Sequence, residues 1–238
     1  MSEPLLKVID LETGYGNKPI INGISLEVNQ GEMVAVIGHN GAGKSTLLKA
    51  IFGLLPLWRG EVHFKGNGVH RRKPSQNVKD GLSFLLQGNR IFDELSVQEN
   101  LEVGAYVLND GQCVAERMEN VFELFPKLGT RRKQNAGTLS GGEKQMLALG
   151  NTLMQKPDLL MMDEPSLGLA PQNLRELFET LQMINQQLGI TLLVVEQKVQ
   201  QILDIANRVY VLKLGKISFH GSAQQLRGDM EALKKAYL

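Results

Sequence analysis

A short glycine-rich stretch limits most strongly what this chain can fold into. Residues 38–46 read Gly-His-Asn-Gly-Ala-Gly-Lys-Ser-Thr and match the pattern G-x-x-x-x-G-K-[ST]. A continuous apolar run at residues 33–37 precedes the stretch and is typical of a strand that is covered on both faces. Apolar residues at helical spacing follow it up to Phe52. The sequence therefore predicts a buried strand, a glycine-rich loop and a helix, in that order.

This loop is suited to hold a phosphate group. Glycines let the backbone wrap an anion without Cβ clashes, and the N-terminus of the following helix adds about half a positive charge. Lys44 would reach the β- and γ-phosphates, and the Ser45 hydroxyl would bind Mg²⁺. A turn that only joins a strand to a helix does not account for Lys-Ser at the required offset. The predicted phosphate-binding residues are Gly38, His39, Asn40, Gly41, Ala42, Gly43, Lys44, Ser45 and Thr46, with His39 contributing its backbone.

Two acidic residues end a second apolar run, at residues 159–162. Asp163 and Glu164 would stand at the carboxyl end of a buried strand, where parallel sheets bind their ligands. We predict that Asp163 contacts Mg²⁺ indirectly, through a water molecule or through a residue that binds the metal. We predict that Glu164 orients or deprotonates the attacking water. An acid pair after a strand also fits a turn or a helix cap, but the phosphate loop makes the catalytic interpretation the better one.

The composition indicates which kinds of partner and which cellular compartment to expect. The chain has 26 Lys and Arg residues against 25 Asp and Glu residues, so its net charge does not attract a polyanion. No nucleic-acid partner is therefore predicted. A lone cysteine favours a reducing compartment. The N-terminus does not resemble a signal peptide, and no apolar run reaches the ~20 residues of a spanning helix. The sole Asn-Lys pair, at residues 17–18, lacks the Asp of a GTP-specific segment, so ATP is favoured.

Strand and helix patterns alternate along the chain, which predicts an α/β fold with a mostly parallel core sheet. Together with the phosphate loop and the acid pair, this fold resembles that of the P-loop NTPases (RecA-like). Antiparallel strands are predicted over residues 5–28, as an N-terminal β-subdomain. Helical patterns at 114–128 and 143–155 predict an inserted helical subdomain. We expect a single nucleotide-binding domain over 1–238, divided into a core at about 1–87 and 157–220, the helical subdomain at about 88–156, and a C-terminal tail at about 221–238 that carries a short helix.

A second glycine-containing motif, Leu-Ser-Gly-Gly-Glu at residues 139–143, precedes one of these helical patterns. Ser140 and Glu143 have the spacing of a capping box, which by itself accounts for a helix start. A cap does not need both Gly141 and Gly142, whereas a second anion site at a helix N-terminus does, because bare backbone must approach the phosphate closely. The spacing alone favours the cap, and the two glycines keep the anion site open as the alternative.

Together these motifs resemble the nucleotide-binding subunits of ABC transporters, and the resemblance covers nearly the whole chain. The phosphate loop, the signature motif at 139–143 and the acids at 163–164 occur in the family's order. Gln87 takes the place of the Q-loop glutamine, and Tyr15 lies upstream, where these proteins stack adenine.

The resemblance implies that two such subunits sandwich ATP and Mg²⁺ between them. ATP on the phosphate loop of one subunit would meet the backbone of Ser140, Gly141 and Gly142 of the other. It also implies that Gln87 joins Mg²⁺ and the attacking water to the helical subdomain, so that motion passes to a membrane permease. We predict that residues 88–92, which follow Gln87, and the helix after them line a surface groove for a permease helix, with Ile91 and Phe92 exposed at a loop.

Three positions depart from the general family pattern and indicate a branch. Glu143 stands where most members have Gln, Leu169 replaces a usual Asp, and Gln197 replaces a histidine that touches the γ-phosphate. An amide can donate a hydrogen bond to phosphate but cannot carry the charge of an imidazolium. With this combination the chain is similar to the ATP-binding subunits of branched-chain or neutral amino-acid importers, a branch that includes urea and short-amide importers.

The resemblance implies integral-membrane permease subunits, a second related ATP-binding subunit and, indirectly, an external solute-binding protein as partners. It implies a peripheral location at the cytoplasmic face of the cell (inner) membrane. Two other functions remain open, namely an ABC ATPase without a transporter and a nucleotide-binding regulatory subunit that hydrolyses ATP weakly. ABC ATPases without a transporter usually carry two such domains or a coiled-coil insertion. Gln197 and Leu169 suggest the weakly hydrolysing regulatory subunit.

Overall fold

The computed structural model describes residues 3–88, 90–106, 111–228 and 231, apart from the side chains of 111–113. The predicted tail helix at 230–238 lies outside these residues except for Glu231. The strands are β1 (Leu6–Tyr15), β2 (Lys18–Val28), β3 (Met33–Ile37), β4 (Arg59–Phe64), β5 (Asn67–Gly68), β6 (Leu82–Leu85), β7 (Leu159–Asp163), β8 (Thr191–Glu196), β9 (Arg208–Lys213) and β10 (Lys216–Ser222). The helices are α1 (Lys44–Phe52), α2 (Pro74–Lys79), α3 (Val97–Gly104), α4 (Gly111–Leu124), α5 (Pro126–Gly129), α6 (Gly141–Leu153), α7 (Pro171–Gln186), α8 (Val199–Ile205) and α9 (Ala223–Gly228).

The core sheet has the strand order β10-β9-β3-β8-β7-β6, and its neighbouring strands are parallel except for β9 and β10. Strands β3, β7 and β8 are buried along their whole length, as continuous apolar runs predict. Because β8 lies between β3 and β7, the residues that follow all three strands meet at one edge of the sheet. This edge holds both the glycine-rich loop and the acid pair.

A second, antiparallel sheet has the order β2-β1-β4-β5 and confirms the antiparallel strands predicted near the N-terminus. Alternate residues of β3 pack into two apolar clusters, one on each face of the core sheet. The cluster that holds Val34 and Val36 also contains apolar residues of α1, β1 and β2, so it joins the two sheets. The mostly parallel core and the antiparallel sheet confirm the predicted fold class.

Helices α3 to α6 lie between β6 and β7 in the chain. The single helix predicted over 114–128 is wrong, because α4 ends at Leu124 and α5 begins at Pro126. Proline has no N–H to donate and its ring collides with the preceding turn, so a helix rarely continues through it. Sequence patterns also missed α2, α8, α9, β4, β5 and β6. Within the described residues, no helix has the length and apolar character to cross a membrane.

Candidate nucleotide site

The glycine-rich loop connects β3 to α1 and depends on glycine at its close contacts. Gly41 and Gly43 have φ angles of 80° and 105°, which L side chains rarely adopt. A Cβ on Gly43 would lie 2.7 Å from Ile21 Cδ1, and one on Gly38 would lie 2.3 Å from the carbonyl oxygen of Leu212. The loop therefore runs directly against β2 and β9.

The first turn of α1 presents backbone donors at this loop. No side chain caps α1, and the first bond from the helix to the loop runs from the Leu47 N–H to the Gly43 carbonyl, at 2.9 Å. The N–H groups of residues 44–46 come before that of Leu47 in the first turn. N–H groups at a helix start attract anions because the helix dipole adds to their partial positive charge.

Lys44 is buried and lies across the loop. Its Nζ donates to the carbonyl oxygens of Gly38, at 2.9 Å, and His39, at 3.2 Å. The same nitrogen is 3.4 Å from Oε1 of Glu164. The structure therefore holds an ammonium group between the phosphate loop and the acid pair, where it can reach a bound phosphate.

Ser45 and Asp163 form the oxygen-rich part of the site. Ser45 Oγ donates to Asp163 Oδ1 at 2.8 Å. Burial raises the pKa of Asp163, the hydrogen bond from Ser45 opposes this rise, and the carboxylate of Glu164 adds to it. Hydroxyl and carboxylate oxygens are the ligands that Mg²⁺ prefers, and a cation here would relieve the repulsion between the two acids. These residues fit Mg²⁺ bound to a phosphate.

Glu164 stands at the turn that follows β7. Its φ of 49° is uncommon for a residue other than glycine, and its N–H donates to the Val195 carbonyl at 2.9 Å. Its Oε2 accepts a hydrogen bond from Gln87 Nε2 at 3.3 Å. The side chain is therefore held between Lys44 and Gln87 rather than packed into the sheet.

These elements enclose a cavity of about 500 Å³ at the carboxyl edge of the sheet. Nine of the predicted site residues line it, and Asp163 adjoins it through Ser45. Ile20 and Leu167, which the sequence did not suggest, line it as well. The nine are Asn40, Gly41, Gly43, Lys44, Ser45, Thr46, Gln87, Glu164 and Gln197.

The other predicted site residues do not line this cavity. Gly38, His39 and Ala42 belong to the same loop but do not line the cavity, although the carbonyls of Gly38 and His39 hold Lys44. Tyr15 is the exposed last residue of β1 and lies outside the cavity lining. Ser140 and Gly142 line another cavity, of about 380 Å³, between α5, α6 and α7.

The signature motif begins α6 as a capping box. Ser140 Oγ donates to Glu143 Oε2 at 2.7 Å, and the Ser140 N–H donates to the same oxygen at 2.9 Å. Packing within the chain accounts for Gly142, since a Cβ there would be 2.4 Å from Asn173 Nδ2. It does not account for Gly141, where an added Cβ would meet no atom within 4 Å.

Sequence reasoning assigned no role to Glu196 or Ser166, which lie beside the cavity. Both are buried, and they bond to each other through two hydrogen bonds. A carboxylate that ends an otherwise apolar strand is the same signal that drew attention to Asp163. That signal was present at Glu196 in the run 192–196.

Comparison with known proteins identifies the family. A family model described as "ABC transporter" matches residues 21–167. The chain belongs to the ABC transporter family. It is an ATPase of this family. The cavity at the phosphate loop, called the ATP cavity below, is the candidate for its ATP site.

Two curated relatives match this ABC transporter chain over almost its whole length. The high-affinity branched-chain amino acid transport ATP-binding protein BraG of Pseudomonas aeruginosa is 39% identical, over 98% of this chain and 99% of its own. The probable branched-chain amino acid transport ATP-binding protein LivF of Archaeoglobus fulgidus is 37% identical, over 93% and 94%.

Solved structures of the family share the fold. The ADP conformation of MJ1267, an ATP-binding cassette of an ABC transporter, superposes with a TM-score of 0.87 at 26% identity, over 98% of both chains. The structure of cbiO1 from Clostridium perfringens, described as part of the ABC transporter complex cbiONQ, has a TM-score of 0.87 at 25% identity, over 98% of this chain and 94% of its own.

Proposed function

We propose that this chain hydrolyses ATP to drive the import of branched-chain or other neutral amino acids through a membrane permease. The observation that carries the proposal is the match, over nearly the full length of both chains, to BraG, whose name states branched-chain amino acid transport. Gln197, which is usual in the importer branch that the sequence resembles, lines the ATP cavity and adds support.

Within the ATP site each residue takes a role that its contacts allow. Lys44 holds the β- and γ-phosphates, since its Nζ already lies between the loop and the acids. Glu164 acts on the attacking water, and Gln87 and Gln197 position water and phosphate from two sides of the cavity. Gly38, His39, Asn40, Gly41, Ala42, Gly43 and Thr46 complete the phosphate loop, and Tyr15 stacks the adenine.

Mg²⁺ is held by Ser45, Gln87 and Asp163 in this proposal. When bound, it neutralises charge on the β- and γ-phosphates. The donor set supports this assignment, because all three side chains offer oxygen, and the Ser45 hydroxyl lies next to the phosphate loop.

The site is completed by a second ATP-binding subunit, either a related chain or another copy. Ser140 and Gly142 line a cavity separate from the ATP cavity, and none of the residues 140–142 lines the ATP cavity of its own chain. Gly141 has open space where a side chain would stand, which suits close approach of a phosphate from a neighbouring subunit.

A surface on the helical part of the chain is proposed to bind the permease. Phe92, Val103 and Tyr106 are exposed apolar side chains around α3. Buried Asn100 fixes this surface, because its side chain accepts from the Phe92 N–H at 2.8 Å and donates to the Phe92 carbonyl at 3.0 Å. Ile91 is half-buried and packs against the core, so the expectation that it is exposed is wrong and Phe92 carries the contact.

With the permease in the membrane, this chain is peripheral at its cytoplasmic face, and an external solute-binding protein delivers the solute. The test of docking is co-purification with the permease. Phe92→Asp should abolish the association, whereas Leu188→Asp should not. Leu188 is a matched control, because it is 54% exposed against 52% for Phe92 and lies before β8, at the edge of the sheet away from the ATP site. An intact complex with Phe92→Asp would contradict the surface assignment.

The test of the transported solute uses the assembled complex in vesicles with its solute-binding protein. ATP-dependent uptake of radiolabelled leucine, isoleucine and alanine is compared with uptake of urea and acetamide. The proposal expects uptake of amino acids and its loss with Lys44→Ala. Uptake of urea or acetamide alone would assign the chain to the short-amide importers instead.

Gln197 in the cavity also favours a second candidate function, a regulatory subunit that hydrolyses ATP weakly. In that case the complete complex should hydrolyse ATP equally well after Lys44→Ala in this chain. A loss of at least half of the turnover in that variant would exclude the regulatory function.

A further inference from the structure

Glu196 ends β8 and is fully buried, yet its carboxylate accepts hydrogen bonds from two separate loops. Its Oε1 accepts from the Ser166 N–H at 2.9 Å, and its Oε2 accepts from Ser166 Oγ at 2.8 Å. The same Oε2 accepts from the N–H groups of Gln197, at 3.0 Å, and Lys198, at 3.4 Å. Ser166 follows β7, whereas Gln197 and Lys198 follow β8, so this single side chain joins the two loops.

Both loops contribute to the ATP cavity. The loop after β7 supplies Glu164 and Leu167, and the loop after β8 supplies Gln197. Glu196 itself pairs with Ile37, the last residue of β3 before the phosphate loop. Its carboxylate therefore bonds both to the loop of Glu164, which is proposed to act on the water, and to the loop of Gln197, which is proposed to act on the γ-phosphate. Glu196 does not line the cavity itself.

The energetics do not favour a carboxylate at this position for stability alone. Burial raises the pKa of Glu196, and the hydrogen bonds from Ser166, Lys198 and Gln197 act in the opposite direction. Removing a charge from water costs several kcal/mol, about as much as excellent hydrogen bonds return. An apolar residue would avoid that cost but would leave the N–H groups of Ser166 and Gln197 without this acceptor. The clearest effect of the four hydrogen bonds is therefore to fix the two loops relative to each other.

We infer that Glu196 is a positioning residue for ATP hydrolysis, which sets the loop that carries Glu164 and the loop that carries Gln197 in one fixed relation. The inference rests on the proposed roles of Glu164 and Gln197 and is independent of the transported solute. One carboxylate oxygen is shared by Ser166 Oγ and the Gln197 N–H, so a shift of either loop weakens the hydrogen bond to the other.

Glu196→Gln tests this coupling with little change of volume. A glutamine offers one oxygen and one NH₂ group, and an NH₂ group cannot accept from the Gln197 N–H. Ser166→Ala removes only the hydroxyl donor from the other loop. Thr191→Val is the matched control, because Thr191 is a fully buried residue at the opposite end of β8, and its Oγ1 accepts from the Gly31 N–H at 2.9 Å.

The first measurement is hydrogen exchange of individual amides in the full chain, which needs no turnover. Glu196→Gln should speed exchange by at least about tenfold at Ser166 or at Gln197, whichever N–H faces the new NH₂ group, because a hydrogen bond to a charged acceptor is lost there. Ser166→Ala should speed exchange at Gln197, in the other loop, by several-fold. Thr191→Val should change neither loop. Equal acceleration throughout β3, β7 and β8 in Glu196→Gln, or an unchanged Gln197 amide in Ser166→Ala, would overturn the inference.

The second measurement separates kcat from KM for ATP hydrolysis. In Glu196→Gln, kcat should fall at least about tenfold, since small misplacements of reacting groups have effects of this size, while ATP affinity stays within about threefold. Thr191→Val should keep kcat within about twofold of the parent chain, even if its unfolding temperature falls as much as that of Glu196→Gln. A kcat in Glu196→Gln within twofold of the parent value would overturn the inference. If the proposed ATP site is wrong, Lys44→Ala should bind ATP as well as the parent chain does. That result would contradict the ATP site and not the role of Glu196 alone.

Discussion

Replacing Gly141 by alanine should separate the stability of the chain from its catalysis. Gly141 is the first residue of α6, its φ is not positive, and an added Cβ would meet no atom within 4 Å. Alanine favours a helix over glycine by up to about 1 kcal/mol in the interior, and we expect about half of this in the first turn. The unfolding temperature should therefore stay constant or rise by about 1–2 °C.

Hydrolysis should change in the opposite direction. If bare backbone at Gly141 approaches a phosphate held by a neighbouring subunit, the new methyl group occupies the space that the phosphate needs. We expect ATP binding to the variant's own phosphate loop to stay within about twofold, and turnover to fall at least about tenfold. Thermal unfolding, equilibrium ATP binding and phosphate release measure the three quantities on the same sample.

Two further glycines serve as controls for Gly141→Ala. Gly228→Ala should alter neither stability nor turnover, because Gly228 also has open space and ends α9 without a positive φ. Gly142→Ala should lower the unfolding temperature, since its Cβ would lie 2.4 Å from Asn173 Nδ2. Turnover by Gly141→Ala within twofold of the parent value would refute the assignment of this backbone to a phosphate site.

Other predictions concern the ATP cavity directly. Glu164→Gln should bind ATP with unchanged affinity and slow phosphate release by about 10²- to 10⁴-fold, and undiminished release would remove Glu164 from its proposed role. Gly43→Ala should lower the free energy of unfolding by about 1–3 kcal/mol, measured in urea, because of its φ of 105° and its contact at 2.7 Å with Ile21; an unchanged midpoint would contradict this. Asp163→Asn should gain stability over the parent chain in EDTA as the pH rises above about 4, because the raised pKa of Asp163 means that the folded parent binds more protons than the unfolded chain there. A difference in stability that is independent of pH would exclude that explanation.

The phosphate loop and the acid pair could be predicted because their chemistry depends on residues that are close in sequence. Gly41, Gly43, Lys44 and Ser45 belong to one loop and one helix turn, so the pattern fixes their relative positions. Glu164 follows a strand whose continuous apolar run identifies it as buried. Local spacing is sufficient in both cases.

Features that depend on distant partners could not be predicted in this way. The role of Glu196 requires Ser166, 30 residues away in the chain, to fold against it. Likewise, Gly142 faces the Asn173 side chain on α7, which no local pattern indicates. The break between α4 and α5 is different, because Pro126 was visible in the sequence and the helical pattern was extended through it wrongly.

The structure of the assembled transporter with ATP trapped by Glu164→Gln would measure the two-subunit site directly. We expect the backbone N–H of Gly141 or Gly142, which follow the capping residue Ser140, to lie within hydrogen-bond distance, about 3 Å, of a γ-phosphate that the phosphate loop of the neighbouring ATP-binding subunit holds. If ATP is bound at Lys44 while residues 140–142 stay remote from every nucleotide in the complex, the shared site does not exist.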